Sequence, residues 1–263
     1  MRPGLMTRRR ALQMALCGTG TAALGGCKIL DSLGDLDNPV RAYMERANAL
    51  TQAAQRGLLD RDALAQEFQW SDIRQPQRPN GVTNPQDSDY VAHVTTDFAQ
   101  YRLQVTGLVT RPLHLSLDDL QAMQQRTQIT RHDCVEGWSC IAQWTGVPLS
   151  AVLARAGLKP GARYIMLHCF DTIERSLSGG VKYYESIDLV DAMHPQTLLA
   201  YGMNGTRLPV ANGAPLRLRV ERQLGYKMAK YLRAIEVVDD YSAFGRGRGG
   251  YWEDRGYEWY AGI

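Results

Sequence analysis

The spacing of apolar residues changes along the chain, and each change predicts an element. After Asn38-Pro39, the residues Val40, Tyr43, Met44, Ala47 and Leu50 recur in steps of three and four. This predicts an amphipathic helix with proline at its first position, ending near Gly57. A second helix is expected over residues 61–68. Residues 74–89 carry three prolines and Asn80-Gly81, a long loop of the kind that often carries function. From Tyr101 the period shortens: Tyr101, Leu103 and Val105 alternate with polar neighbours before Gly107, which predicts a strand. Ser116-Leu117-Asp118-Asp119 is a capping box with aspartate in its last place. Helices are expected over 149–156 and 188–193, and strands over 163–170, 197–201 and 231–238. Leu216, Leu218 and Val220 alternate with Arg217, Arg219 and Glu221, and Asn204-Gly205 predicts a tight turn. Strands and helices mix without regular βαβ alternation, which indicates the α+β class.

Composition adds little, but charge and the N-terminus add more. The 263 residues are 44% hydrophobic and 22% charged, ordinary for a soluble globular protein. The formal charge is +3, but Arg2, Arg8, Arg9 and Arg10 lie in an acid-free leader, and without them the rest carries about −1. No attraction to nucleic acid follows from that balance. Thr7-Arg8-Arg9-Arg10-Ala11-Leu12-Gln13 is a twin-arginine pattern, followed by a glycine-rich stretch to Gly26, so residues 1–26 read as an export signal. Leu24-Gly25-Gly26-Cys27 resembles a bacterial lipobox, which predicts a lipid anchor at Cys27 and a periplasmic or extracytoplasmic address; simple cleavage near Gly26 is the alternative. The mature chain then divides into a helical segment, 27–73, and one domain, 74–263, that ends in an aromatic tail. Three thiols remain, Cys134, Cys140 and Cys169, an odd number for an oxidising compartment.

Two stretches gather reactive side chains. Arg131-His132-Asp133-Cys134-Val135-Glu136-Gly137-Trp138-Ser139-Cys140 holds two thiols, an imidazole, three carboxylate or indole groups and a turn-forming glycine. Those ten residues leave two readings open: Cys134 as a thiolate ligand or nucleophile, or Cys134 and Cys140 as small buried apolar residues. The second stretch starts at Asn212-Gly213-Ala214-Pro215-Leu216-Arg217 and continues through Gly225-Tyr226-Lys227-Met228-Ala229-Lys230. Glycine next to arginine and lysine suits a phosphate cradle, and a solvated charged strand face is the competing reading. No dinucleotide fingerprint, Walker sequence or serine elbow is present. A zinc built from His132, Cys134, Cys140, His168 and Cys169 lacks a paired-cysteine knuckle. The tail after Phe244 holds Tyr251, Trp252, Tyr257, Trp259 and Tyr260, more aromatic area than a free terminus usually leaves in water, and is expected to pack back over a pocket.

Five ordered motifs together resemble one family. They are the segment 131–139, Trp144 with Gly146-Val147-Pro148-Leu149, Asp191-Ala192-Met193-His194-Pro195-Gln196-Thr197-Leu198, the segment 212–218 and Gly225 to Lys230. Together they look like the molybdenum-cofactor domain of the sulfite oxidase superfamily, most like its methionine-sulfoxide-reductase branch, over about residues 74–240. The resemblance implies a mixed-sheet molybdopterin-binding fold and a molybdopterin carrying molybdenum, with Cys134 as the protein's thiolate ligand. It implies cofactor contacts at Asn80, Cys169, Asn212, Arg217, Gly225, Tyr226, Lys227 and Lys230. Cys169 stands where that branch has threonine.

Sulfite oxidases follow the ligand cysteine with an arginine pair, whereas here Val135-Glu136-Gly137-Trp138 follows it. A carboxylate at that place disfavours a dianion, and Glu136 in a buried site would hold a proton. The expected reaction is therefore oxygen-atom removal from a small-molecule or protein-bound S-oxide or N-oxide, with Glu136 as proton donor and Trp138 or the terminal aromatics as a wall. Oxidation of sulfite or another sulfur compound is the enzymatic rival, and a non-catalytic anion- or partner-binding lipoprotein is the rival of another class. No haem-attachment motif is present, so a haem-containing membrane or soluble electron-transfer partner is expected.

Overall fold

The computed structural model describes residues 38–176 and 179–263. The export signal and the lipobox cysteine lie outside the described residues. The chain divides into two units, Met1–Ala49 and Leu50–Ile263. In the first, the described residues begin helix α1 (Pro39–Leu58), where the Asn38 side chain accepts the Val40 N–H at 2.9 Å and starts the helix at the expected place. Among the described residues no helix is long and apolar enough to cross a membrane.

The second unit carries two sheets. One has the strand order β2-β1-β10-β5-β6, formed by β1 (Leu103–Gly107), β2 (Leu113–Leu115), β5 (Tyr164–Ser176), β6 (Gly179–Asp188) and β10 (Leu232–Val238). Its β1–β10 pair is parallel and the others are antiparallel, so the sheet is mixed. The other sheet is antiparallel, with β3 (Arg126–Asp133), β4 (Ser139–Pro148), β7 (Leu198–Met203) and β8 (Thr206–Arg207) in order, and β9 (Arg217–Arg219) on β7. Short helices join the strands: α2 (Ser88–Thr95), α3 (Leu117–Gln121), α4 (Leu149–Ala156) and α5 (Leu189–Ala192). This is the expected α+β, mixed-sheet architecture.

Local signals explain several of these elements. Ser116 Oγ accepts the Asp119 N–H at 3.0 Å, and the Asp119 carboxylate accepts the Ser116 N–H at 2.9 Å, so aspartate completes the capping box of α3. In α4, Leu149, Val152, Leu153 and Ala156 form one buried face against a core that also holds Leu103, Val105, Ile165 and Ile235.

The helix expected over 61–68 is not formed. Residues 63–69 run irregularly, and Glu67 bridges to Thr130. The amide N–H and C=O of Ala65 are both taken by the Gln196 side chain, at 2.8 and 3.1 Å, which removes them from any helical ladder. The apolar pattern did not mark β2, β3, β4, β6 or β8; of these β4 pairs with β3, and β6 pairs with β5.

Candidate active site

Strands β3 and β4 stay in register from Arg126 opposite Gly146 to Asp133 opposite Ser139, so residues 134–138 must reverse the chain. The turn is closed by the Cys134 N–H donating to the Trp138 carbonyl at 2.9 Å and the Gly137 N–H donating to the Cys134 carbonyl at 3.0 Å. Gly137 has φ +82°, a conformation that glycine adopts without a steric penalty. The turn fixes Cys134 partly buried at the end of the hairpin. Burial pushes its thiol above the ordinary value, and the backbone N–H of Glu136 opposes that shift. A bound cation would favour the thiolate instead.

Cys134 opens on a cavity of about 150 Å³. Of the residues singled out in the sequence, Asn80, Cys134, Glu136, Gly225, Tyr226 and Lys230 line it, although they are spread over 150 positions of the chain. Trp252 and Tyr257, from the aromatic tail, line it too. Asp171 and Tyr183 complete the wall. Neither belongs to a motif: Asp171 reaches the cavity because a bulge in the β5–β6 pairing follows His168. Its carboxyl is 5% exposed, Oδ1 has no hydrogen-bond partner, and burial pushes it up to about 6.

The other nominated residues do not line the cavity. Trp138 lies in a neighbouring surface recess with Arg78, Arg131 and Cys140. Its Nε1 donates to Glu136 at 2.8 Å, and its ring lies 4.7 Å from the Arg78 guanidinium. The Glu136 side chain is 62% exposed and faces Arg78 at 3.6 Å. The expectation of a buried Glu136 is thus corrected, because the turn carries this side chain to the mouth. Cys169 is buried in the core opposite Leu232, and burial, reinforced by Asp171, pushes its thiol well up. Lys227 Nζ is 2.6 Å from both Glu185 and Glu253, so its side chain is committed to an internal ion pair.

Behind the cavity wall lies an excess of buried positive charge. Arg217 is 2% exposed; its Nη1 donates to the Asn212 carbonyl at 2.8 Å, its Nε has no partner, and burial next to Arg219 pushes it down to about 9. Lys230 donates to the carbonyls of Asn80 and Val82 and is pushed down to about 7, by burial first and then by Arg217. Neither cation has a carboxylate within ion-pair distance among the described residues. Arg219, in contrast, is neutralised by Glu221 at 2.6 Å and donates to His132 Nδ1 at 3.0 Å. That bond places the His132 proton on Nε2, which is buried without an acceptor. Close by, a Cβ on Gly225 would come within 2.5 Å of His132 Nε2, so only glycine fits there. Two uncompensated cations and an unanswered donor suit an anionic, hydrogen-bonding group. The reading of Arg217, Arg219 and Glu221 as a solvated strand face is excluded, because all three are buried.

A family model, the oxidoreductase molybdopterin binding domain, matches residues 90–244. The chain belongs to this family. It is 37% identical over 258 residues to a protein of Azospira oryzae named "Putative protein-methionine-sulfoxide reductase subunit", with 98% of this chain and 88% of that protein covered. It is 38% identical over 154 residues to the protein-methionine-sulfoxide reductase catalytic subunit of Xanthomonas campestris pv. campestris, where 55% of this chain spans 47% of that protein. The sulfane dehydrogenase SoxCD of Paracoccus pantotrophus matches with a TM-score of 0.46 and 26% identity, over 53% of this chain and 38% of that one. The protein is therefore a molybdenum-dependent oxidoreductase of the sulfite oxidase superfamily, with molybdopterin as its cofactor. The buried cations suit the anionic part of that cofactor, and the Cys134 thiol offers one soft protein donor at the cavity they back.

Proposed function

We propose that this chain is an exported reductase of S-oxides. When bound, the cofactor supplies two-electron oxygen-atom transfer, so that a sulfoxide, two electrons and two protons give a thioether and water. Cys134 is the protein's thiolate ligand to the metal. Arg217, Lys230, Asn80, Asn212 and the turn from Gly225 to Lys227 hold the pterin and its phosphate, the last through its backbone. Glu136, which lines the cavity two residues from Cys134, passes a proton to the departing oxygen, and Trp138 Nε1 orients that carboxylate. Electrons come from a haem-containing partner. The twin-arginine leader places the protein in the periplasm, with Cys27 as its lipid anchor.

One observation carries the choice of substrate. The cavity's carboxyl groups, Glu136 and Asp171, stand among apolar and aromatic walls, with only Lys230 as a lining cation. A dianion such as sulfite meets like charge there, whereas a neutral S-oxide meets apolar surface and hydrogen-bonding groups. The Azospira and Xanthomonas relatives, named for methionine-sulfoxide reduction, support the same direction.

The test is metal content, pterin content and turnover of the native chain against Cys134→Ser, made in a host that supplies the cofactor. About one molybdenum per chain in the native protein, with turnover of S-oxides lost in the variant, supports the reading. Full turnover in Cys134→Ser refutes the ligand assignment. Glu136→Gln keeping the native rate and pH profile refutes its proton-donor role.

A further inference from the structure

We propose that residues 245–260 form a specificity strap, in which Trp252 and Tyr257 make the aromatic wall that receives the alkyl groups of the S-oxide. The inference rests on the S-oxide reading above and assigns the side of the site on which the substrate's carbon skeleton lies. These residues fall outside the family match, which ends at residue 244, yet both rings line the cavity that Cys134 opens on.

The two rings are held as a unit. They stack at 5.2 Å with 24° between their planes. The turn that carries them is closed by the Tyr257 N–H donating to the Trp252 carbonyl at 3.0 Å, and Gly256 takes φ +103° to allow it. Tyr226 meets Tyr257 edge-on at 5.1 Å, and Tyr251 backs Trp252 edge-on at 5.2 Å. A wall of rings with few rotatable bonds loses little entropy when a ligand packs on it.

The strap is also fastened to the domain by buried polar groups. Between its two aromatic residues, Glu253 takes Lys227 Nζ at 2.6 Å. Asp254 accepts the Arg246 N–H at 2.6 Å and the Arg248 N–H at 3.1 Å, and takes the Tyr184 hydroxyl. Trp259 Nε1 donates to Ser186 Oγ at 2.8 Å, and the Tyr226 hydroxyl donates to the Glu258 carbonyl at 2.6 Å. These bonds hold the glycine-rich segment so that Tyr257, which is 37% exposed, lines the cavity beside Trp252.

The chemistry of the wall selects its ligand. S-methyl and S-alkyl groups pack favourably against aromatic rings, and the polar S–O group is left to face the Cys134 side of the cavity. A thioether oxide with a short unbranched alkyl arm, the shape of an oxidised methionine side chain, fits both walls.

The experiment uses the cofactor-loaded protein, native and with Trp252→Ala, Tyr257→Ala and Trp252→Phe. Methionine sulfone, which has the same alkyl arm and S-methyl group but a second oxygen on sulfur in place of the lone pair and so is not the enzyme's substrate, is titrated calorimetrically, and kcat and KM are measured for methionine sulfoxide. Trp252→Ala is expected to weaken sulfone binding and raise KM by about tenfold, with kcat within about twofold of native; Trp252→Phe restores most of the affinity. Unchanged binding and KM in both alanine variants, at native molybdenum and pterin content, overturns the strap assignment alone. Loss of pterin from Trp252→Ala also overturns it, because the wall would then be holding the cofactor. A native protein that neither binds the sulfone nor reduces the sulfoxide brings down the S-oxide reading, and this inference with it.

Discussion

Lys227 and Lys230 lie three residues apart in the same loop, both buried, and they do opposite things. Lys227 lies between Glu185 and Glu253, 2.6 Å from each; burial alone would lower it, but the two carboxylates hold it above its ordinary value. Lys230 faces backbone carbonyls and Arg217, with Asp171 and Cys169 as weaker opposing partners, and is pushed down to about 7. The first has had its charge answered by the fold, and so it fastens the C-terminal strap. The second has its charge left over, together with that of Arg217, and so it is ready for an anion. A basic residue in a loop is a ligand only if the fold has not already paired it.

The largest effect comes from breaking the answered pair. Lys227→Met leaves two carboxylates buried without a cation, and should lower stability by about 3–5 kcal/mol, read as a fall in the urea midpoint of the cofactor-free protein. Adding Glu185→Gln and Glu253→Gln to that variant should restore most of the loss. Breaking the unanswered site should act on the cofactor instead. Lys230→Met or Arg217→Met removes a charged hydrogen-bond donor worth about 1.5–3 kcal/mol, so pterin retention during dialysis should weaken by about 10- to 100-fold while the circular dichroism spectrum stays native. Equal pterin retention in both variants would place the phosphate elsewhere.

The same contrast should show in the pH dependence of the cofactor-free protein. Lys230 has its ordinary value in the unfolded chain and about 7 in the fold, so between those limits the native state binds fewer protons than the unfolded state. Stability should therefore rise with pH from about 7, with a slope of at most about 1.4 kcal/mol per pH unit. Arg217, at about 9, extends the same trend upward. Lys227 has the opposite sign: its contribution is complete below its unfolded value and is lost only as pH rises through its higher folded value. Lys230→Met should flatten the slope above 7, and urea titrations at several pH values would measure it.

Much of this arrangement was legible in the sequence, and the gaps have physical causes. The helix over Leu149–Ala156 and the capping box at Ser116 are written in neighbouring residues, and the structure places both as expected. The helix expected over 61–68 was lost to Gln196, which lies more than a hundred residues away and takes Ala65's hydrogen bonds. The strand face with Arg217, Arg219 and Glu221 has the alternation of a solvated surface, but its polar members are buried because Trp144 stacks on both guanidiniums, at 4.9 and 4.4 Å. Asp171 carries no local signal at all: a lone aspartate in a strand becomes a cavity wall only through a bulge in the β5–β6 pairing. The two lysines belonged to one motif, and only the partners brought by β6 and the strap tell them apart.

The smallest effect belongs at the cavity mouth, where charge is answered by solvent as much as by protein. Arg78 and Glu136 face each other at 3.6 Å with side chains 63% and 62% exposed. Such a pair contributes about 0–1 kcal/mol, so Arg78→Ala should leave the urea midpoint almost unmoved, even though it also removes the guanidinium over Trp138. Its consequence should appear in catalysis, because Glu136 then keeps only Trp138 Nε1 to orient it. A modest change in the pH profile of turnover at unchanged stability would identify the mouth as chemistry. A stability loss as large as that of Lys227→Met would show instead that the hairpin tip is held as tightly as the strap, and the distinction between answered and unanswered charge would not extend to the rim.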